Sequence, residues 1–457
     1  MIDTPLPAGF RNSLAVPEPD ALCGALLTEP EVSVRLNRSK TDAVLPDPVP
    51  WARACFYLES RPTFTFDPAL HQGLYYVQDA SSMATARAVE EAVRLSGAGC
   101  APLRFLDACA APGGKTLGAM DALPHGSFIV ANEFSPRRLP VLAENVAKWG
   151  TAPVIITNTD AAGITGPDGF FDIVAADVPC SGEGMMRKEA EARRQWSEAL
   201  VRDCAALQSS IVDALARVLR PGGFLVYSTC TFNLDENERI VARLIQRHGM
   251  HPVPVPALDG QEGVLGALEG DFPAYRFLPG RIRGEGLFLC LMRKPGDAPA
   301  AEPRRAKSAT KRPDAAVTRL LTGDYDWLTD RDGTVHALPA NGAPLLAAMS
   351  KSLRVSVPGL PVAQPKGRDL VPTQQLALST AMSADAFPRV EIDAPTALSY
   401  LGHNAITLPD GPPRGIVLLT HRGAPLGFAK NLGTRANNLY PAPWRILTPN
   451  PSPNSIL

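Results

Sequence analysis

Between residues 76 and 294 short apolar runs alternate with longer amphipathic stretches. LRFLDACA, GSFIVANEF, APVIITNTD, FDIVAADVPC, GGFLVYSTC and GLFLCLMRK are runs of apolar residues that give way to turn residues, the pattern of strands buried on both faces. The spacing between them predicts helices starting at Gly114 and covering 136–149, about 190–218 and 234–248. Ser135 before Pro136, and Asn233 three residues before Glu236, are helix-start signals. This rhythm predicts an α/β fold, a doubly wound and mostly parallel sheet.

The flanking regions have a different texture. Residues 1–75 mix prolines with the aromatic-rich stretches ACFYLESRPTFTF and GLYYVQD, which suggests a small α+β N-terminal domain ahead of a catalytic domain over 76–294. Residues 295–313, PGDAPAAEPRRAKSATKRP, have little to bury and are expected to be a linker. A small domain over 314–385 and another over 386–457 follow, the latter with two strands around a turn in GIVLLTHRGAPLGFAKN. There is no internal repeat.

Composition narrows the class. A 457-residue chain with 45% hydrophobic and 20% charged residues is an ordinary multidomain protein. MIDTPLPAGF lacks the basic start and apolar core of a signal peptide, and no apolar stretch reaches membrane-spanning length. A cytoplasmic protein with reduced thiols and no membrane partner is therefore expected, and a monomer is the simplest state. A net charge of −1 gives no global attraction to nucleic acid and counts mildly against an indiscriminate polyanion binder. From Gly411 onward, however, Arg414, Arg422, Lys430, Arg435 and Arg445 stand without any Asp or Glu. Such a segment suits a phosphate backbone and a solvated surface equally well.

Two of the eight cysteines stand out. A free cysteine is usually a small buried hydrophobe. Cys180 in DVPCSGEG and Cys230 in YSTCTF instead keep polar company, with Asp177 before one and Ser228, Thr229 and Thr231 around the other. Such flanks make poor core material, and both cysteines fall at strand ends, where open α/β sheets place their chemistry. No cysteine forms a CxxC pair, so neither zinc nor thioredoxin-like chemistry has support, and no metal is expected.

A third feature is the turn DACAAPGGKT at 107–116. Gly113 and Gly114 allow close backbone approach to a ligand, and the following helix aims its first amides at it. A phosphate-loop assignment fails on spacing, because its first glycine would fall on Cys109. Glu133 ends the next strand, where such folds hold a ribose diol, and Asp160 ends the third. This succession fits an adenosine-containing cofactor on Cys109, Ala110, Ala111, Pro112, Gly113, Gly114, Lys115, Glu133, Asp160 and Asp177.

AAPGGKT, DVPCSGEGMMRK and YSTCTFNLDENE, in this order and at these intervals, resemble the signature motifs of the RNA (cytosine-5) methyltransferases of the Nop/Sun family. The resemblance covers about 35–294, and QDASSMATARAV at 78–89 resembles the segment preceding that family's catalytic domain. PLGFAKNLGTRANNLYPAPWR at 425–445 is similar to the PUA-like RNA-binding domain of bacterial ribosomal members. The resemblance implies a class I, Rossmann-like methyltransferase domain using S-adenosyl-L-methionine. It implies RNA as partner, with ribosomal RNA or the small ribosomal subunit favoured over tRNA. A non-catalytic ribosome-assembly factor is the competing class, against which two thiols, Asp177 and Lys115 weigh.

The chemistry explains the need for two sulfurs. Carbon 5 of cytosine is a weak nucleophile, and a thiolate added to carbon 6 pushes electron density onto it. After methylation the carbon 5 proton must leave so that the sulfur can depart. The chemistry alone does not say which cysteine does which; the resemblance implies Cys230 as nucleophile and Cys180 as the residue assisting adduct breakdown. Asp177 can pair with the cytosine edge and reject uracil, with Lys115 near the base or cofactor. Arg187 and Lys188 suit either phosphate or a solvated face. The DNA enzymes carry Pro-Cys followed by ENV, whereas here Glu144-Asn145-Val146 precedes Pro179-Cys180, so the tripeptide is coincidental. The target base must be single-stranded or flipped out.

Overall fold

The computed structural model describes residues 4–302, 313–367, 369–448, 452, 453 and 455–457. Its centre is a sheet built on β1 (Arg104–Asp107), β2 (Phe128–Asn132), β3 (Val154–Thr157), β4 (Phe171–Asp177), β5 (Leu219–Thr229) and β6 (Leu287–Arg293). The order is β3-β2-β1-β4-β5-β6. The pairs β1–β2, β2–β3, β1–β4 and β4–β5 are parallel, and β6 runs antiparallel to β5. The expected doubly wound, mostly parallel sheet is thus present. FIVAN and VIIT are buried at every position, which is why they read as continuous apolar runs rather than alternating ones.

Helices α1 (Gly114–Ala122), α2 (Leu139–Trp149), α3 (Glu198–Val218) and α4 (Glu238–His248) cover the faces. The helix expected over 136–149 begins at Leu139, and two others differ from expectation for a physical reason. The long helix over 190–218 breaks at Trp196, because the Ser197 hydroxyl accepts from Leu200 N at 3.1 Å and restarts the helix as α3. The last starts at Glu238 rather than 234, because Asn233, Glu236 and Asn237 turn inward to buried partners described below.

The flanking parts are stitched to this sheet. Residues 32–36, 47–48, 55–58 and 75–77 form a four-stranded N-terminal sheet. Residues 325–372 and 389–438 hold two further four-stranded sheets. Strand β7 (Val355–Pro358) leaves the C-terminal part to pair antiparallel with β3, and Leu338, Leu346, Met349 and Leu353 join the core formed by Leu106, Val130 and Ile155. Of the expected linker, 303–312 lie outside the described residues. The stretch before them runs along the sheet, with Ala301 N on Gly169 O at 2.9 Å and Arg104 bonded to Ala301 O and Glu302.

The C-terminus of α2 is the common junction. Lys40 Nζ caps Lys148 O at 2.7 Å and Asn37 Nδ2 caps Trp149 O at 2.9 Å, satisfying carbonyls that the helix leaves open. Gly150, at φ +65°, takes Thr380 N on its carbonyl, and a Cβ there would lie 2.2 Å from Leu378 O. Lys148 lies 5.9 Å from the Trp444 ring centroid. Among the described residues no helix is long and apolar enough to cross a membrane.

Nearby, buried His71 meets Thr65 O at 2.9 Å through Nε2 and Tyr440 Oη at 3.3 Å through Nδ1, joining the two terminal regions. Burial, with help from the Lys148 charge, pushes its pKa from 6.5 down to about 3. Below pH 6.5 the unfolded chain takes up a proton that the folded one refuses, so this stability is present above pH 6.5 and is lost as pH falls toward 3. Moving from pH 7 to pH 5 should cost the junction about 2 kcal/mol. Urea unfolding at both pH values should show this loss in the natural chain and a smaller one in His71→Gln; equal losses would contradict it.

Candidate active site

The switch point of this sheet lies between β1 and β4, where ligands bind in open α/β folds. Asp107 ends β1, and the chain turns through Cys109–Pro112 to Gly113, which caps α1 at φ +119°. The turn is braced from α2, with Asn145 Nδ2 on Pro112 O at 2.8 Å and Arg138 on Ala111 O. Gly114 faces the N-terminal domain, where a Cβ would come within 3.0 Å of Tyr76. Tyr76, Gln78, Ala110, Pro112, Lys115 and Asp177 are among the residues around a cavity of about 160 Å³.

Lys115 Nζ and Asp177 Oδ2 pair at 2.6 Å, while Asp177 Oδ1 accepts from the Ser228 hydroxyl at 2.9 Å on the neighbouring strand. Burial works against the Lys115 ammonium, but Asp177, with Cys230 and Asp107, outweighs it and raises its pKa. Lys115 is therefore a fixed positive charge at neutral pH. Asp107 takes the Thr116 hydroxyl on Oδ2 at 2.6 Å and leaves buried Oδ1 without a hydrogen-bond partner among the described residues. Burial lifts its carboxyl to about 6, against that hydrogen bond and with the repulsion of Asp177. Cys109 is a poor nucleophile, since burial and then the charges of Asp107, Asp177 and Glu133 push its thiol well up.

The acids at the other strand ends are separate from this cavity. Glu133 is buried, its Oε1 accepting from Ser135 N at 2.7 Å and its Oε2 3.6 Å from Arg138. Asp160 is exposed and accepts from Ala162 N at 3.1 Å.

Cys180 and Cys230 are brought together, with Sγ to Sγ at 3.2 Å. The hydrogen bond to Cys230, followed by burial, pushes the Cys180 thiol well up. The contact is within hydrogen-bond range with either sulfur as the donor. Two buried carboxylates fix the loops that carry them. Glu183 Oε2 accepts from the Thr231 hydroxyl at 2.7 Å, Phe232 N at 2.5 Å and Asn233 N at 3.2 Å, and its Oε1 from Trp196 Nε1 and Asn233 Nδ2. Glu236 takes Ser181 N at 2.9 Å, the Ser181 hydroxyl, Asn233 Nδ2 and Gln208 Nε2. Gly184 N also bonds Cys230 O at 2.7 Å, and a Cβ there would lie 2.8 Å from that oxygen.

Sequence reasoning missed the clamp formed by Ser181, Glu183 and Glu236, along with Tyr76 and Gln78. The available signal for the clamp was weak: each cysteine motif carries an acidic residue amid turn residues, in SGEG and LDENE, which by itself does not tell a buried acid from a solvated one. Tyr76 and Gln78 gave no such signal.

The strand order, the glycine turn at the switch point and the acid ending β2 define a class I, Rossmann-like methyltransferase. A solved methyltransferase homolog from Pyrococcus horikoshii shares the fold at 25% identity and a TM-score of 0.51, covering 62% of this chain and 93% of that one. NSun6 from Pyrococcus horikoshii matches at 20% identity and a TM-score of 0.50, covering 61% and 95%, which bears on the fold alone.

The family model for 16S rRNA methyltransferase RsmB/F matches residues 102–293, that for the N-terminal domain of 16S rRNA methyltransferase RsmF matches 6–80, and that for the methyltransferase RsmF PUA domain matches 387–446. The chain is similar to the ribosomal RNA small subunit methyltransferase F of Erwinia tasmaniensis, at 32% identity over 86% of this chain and 84% of that protein. The same-named protein of Citrobacter koseri matches at 33% over the same shares. The chain belongs to the RsmB/F family of 16S rRNA methyltransferases.

If the clamp sets the spacing of the thiols, Glu183→Gln should loosen it by placing an NH2 group against donors. We expect a loss of about 3 kcal/mol from buried donors left unpaired, read by urea unfolding. Diamide should join Cys180 to Cys230 readily in the natural chain and slowly in the variant. Unchanged stability and cross-linking would contradict the clamp.

Proposed function

We propose that the protein transfers a methyl group from S-adenosyl-L-methionine to carbon 5 of a cytosine in small-subunit ribosomal RNA, through a covalent adduct on Cys230. The observation carrying this reading is the 3.2 Å approach of Cys180 to Cys230, with the Cys180 thiol pushed up by that contact and by burial; this reading assigns the shared proton to Cys180. A binding module needs no such pair.

The residues present fit the cofactor. Gly113 and Gly114 leave the first turn of α1 open, Asp107 Oδ1 is an unpaired buried acceptor, and Glu133 ends β2 where a ribose diol is held. Bound there, S-adenosyl-L-methionine supplies an electrophilic methyl group. Asp160 belongs to the same rim of strand ends.

The chain's own residues do the rest. Hydrogen bonding from Cys180 stabilises negative charge on the Cys230 sulfur, which bonds to carbon 6 and makes carbon 5 nucleophilic. Asp177, oriented by Lys115 and Ser228, presents a carboxylate to the cytosine edge, and the Lys115 charge offsets the anionic character that addition creates. Once carbon 5 carries the methyl group, solvent water takes its proton, the C–H electron pair restores the ring double bond, and the Cys230 sulfur leaves as a thiolate. The Cys180 S–H is placed to stabilise that leaving sulfur.

The flanking regions supply grip that the near-neutral chain lacks overall. The segment matching the PUA domain model holds all five basic residues after Gly411, Arg414, Arg422, Lys430, Arg435 and Arg445, in a strand-rich unit. The names of the relatives support ribosomal RNA over tRNA.

The two thiols should fail differently. With labelled RNA on a denaturing gel, Cys230→Ser should give neither methylation nor adduct, because a hydroxyl cannot replace a thiolate at neutral pH. Cys180→Ala should give a persistent protein–RNA band through Cys230. The reverse pattern would exchange their roles, and methylation by both variants would sink the mechanism.

A further inference from the structure

A second cavity, of about 560 Å³, adjoins the catalytic one, and residues 77–79 line both. It is lined by the 27–33 segment of the N-terminal domain, with Glu29 and Glu31, by Asp79 and Arg61, and by Arg187 and Lys188 from the turn that follows Cys180. The volume lies in the range of pockets that enclose a small molecule or nucleotide.

The two neighbouring cations do different things. Arg187 is fully used within the protein: its guanidinium donates to Thr28 O and Oγ1, Glu29 O and Gly284 O, at 2.6–3.3 Å. It latches the N-terminal segment to the catalytic domain and keeps the chamber open in one shape. Lys188 has no hydrogen bond among the described residues, and its nearest anion is Glu285 at 3.8 Å, outside hydrogen-bond range. The Glu285 carboxylate is buried without a hydrogen-bond partner among the described residues, lies 3.8 Å from both Arg187 and Lys188, and is pushed up to about 7 by burial, so it holds neither cation's donors. Arg61, which also lines the chamber, lies 5.7 Å from the Phe64 ring centroid and has no hydrogen bond or ion pair among the described residues.

We propose that this chamber is a subsite for the RNA nucleotide adjacent to the target base, with its phosphate held by Lys188 and Arg61. The inference rests on the proposed function in taking RNA as substrate. A base flipped into the small cavity must bring its neighbours along, since a phosphodiester link spans only a few ångströms, and the shared wall at 77–79 is where the backbone would cross. One ammonium and one guanidinium group, without competing side-chain hydrogen bonds among the described residues, suit a phosphate there.

The test uses the full chain with deproteinised small-subunit ribosomal RNA. Affinity measured against salt should fall about threefold to tenfold in Lys188→Gln and in Arg61→Gln, and the slope of log affinity on log salt should drop by about 0.7 for each. Arg247→Gln, an exposed residue of α4 paired with Asp213, should leave both unchanged, and affinity for S-adenosyl-L-methionine should be unaffected in all three. Natural affinity and slope in Lys188→Gln and Arg61→Gln would overturn the subsite. Methylation is read separately: altered slopes without any cytosine methylation by the natural chain would sink the functional reading while leaving the subsite standing.

Discussion

Two buried carboxylates, Glu183 and Glu236, hold the catalytic half of this protein in register. A lone carboxylate in a protein interior is costly, and it is tolerated only when donors surround it. Here the donors come from the opposite loop. Glu183, on the Cys180 loop, collects backbone and side-chain donors of residues 231–233; Glu236, on the Cys230 loop, collects both Ser181 donors. Each loop thus satisfies the other's charge, and neither can shift without stranding one. The 3.2 Å thiol separation follows, and Gly184 is required because any side chain would strike Cys230 O.

A comparable economy operates at the larger scale. The C-terminus of α2 needs partners for its last carbonyls, and these come from Lys40 and Asn37 in the N-terminal domain and Thr380 beyond the linker. The same anchoring sets the N-terminal strand carrying Tyr76 over Gly114, closing one side of the cavity. The helix that braces the cofactor turn through Asn145 and Arg138 is therefore also the helix to which the flanking regions are tied.

Much of this was legible in the sequence because buried parallel strands leave unbroken apolar runs and each strand end carried a recognisable residue. The sheet, the switch-point turn and the convergence of Cys180 with Cys230 follow from that pattern. The clamp did not, because a glutamate amid turn residues looks the same in sequence whether it faces solvent or is buried among five donors. The attachment of β7 to β3 was invisible for another reason: pairing between segments about two hundred residues apart leaves no local periodicity. Arg187 and Lys188 were indistinguishable as neighbouring cations; only the Thr28 and Gly284 contacts separate a latch from an unengaged charge.

The central claim is that the clamped thiol pair is a centre for covalent catalysis with Cys230 as the attacking atom. A substrate RNA carrying 5-fluorocytidine at the target blocks the loss from carbon 5 on which sulfur release depends, so it should arrest the reaction at the adduct. Proteolysis and mass spectrometry of the trapped complex should then place the RNA on the peptide containing Cys230. Attachment to Cys180, or methylation of ordinary RNA with no adduct trapped, would contradict the account.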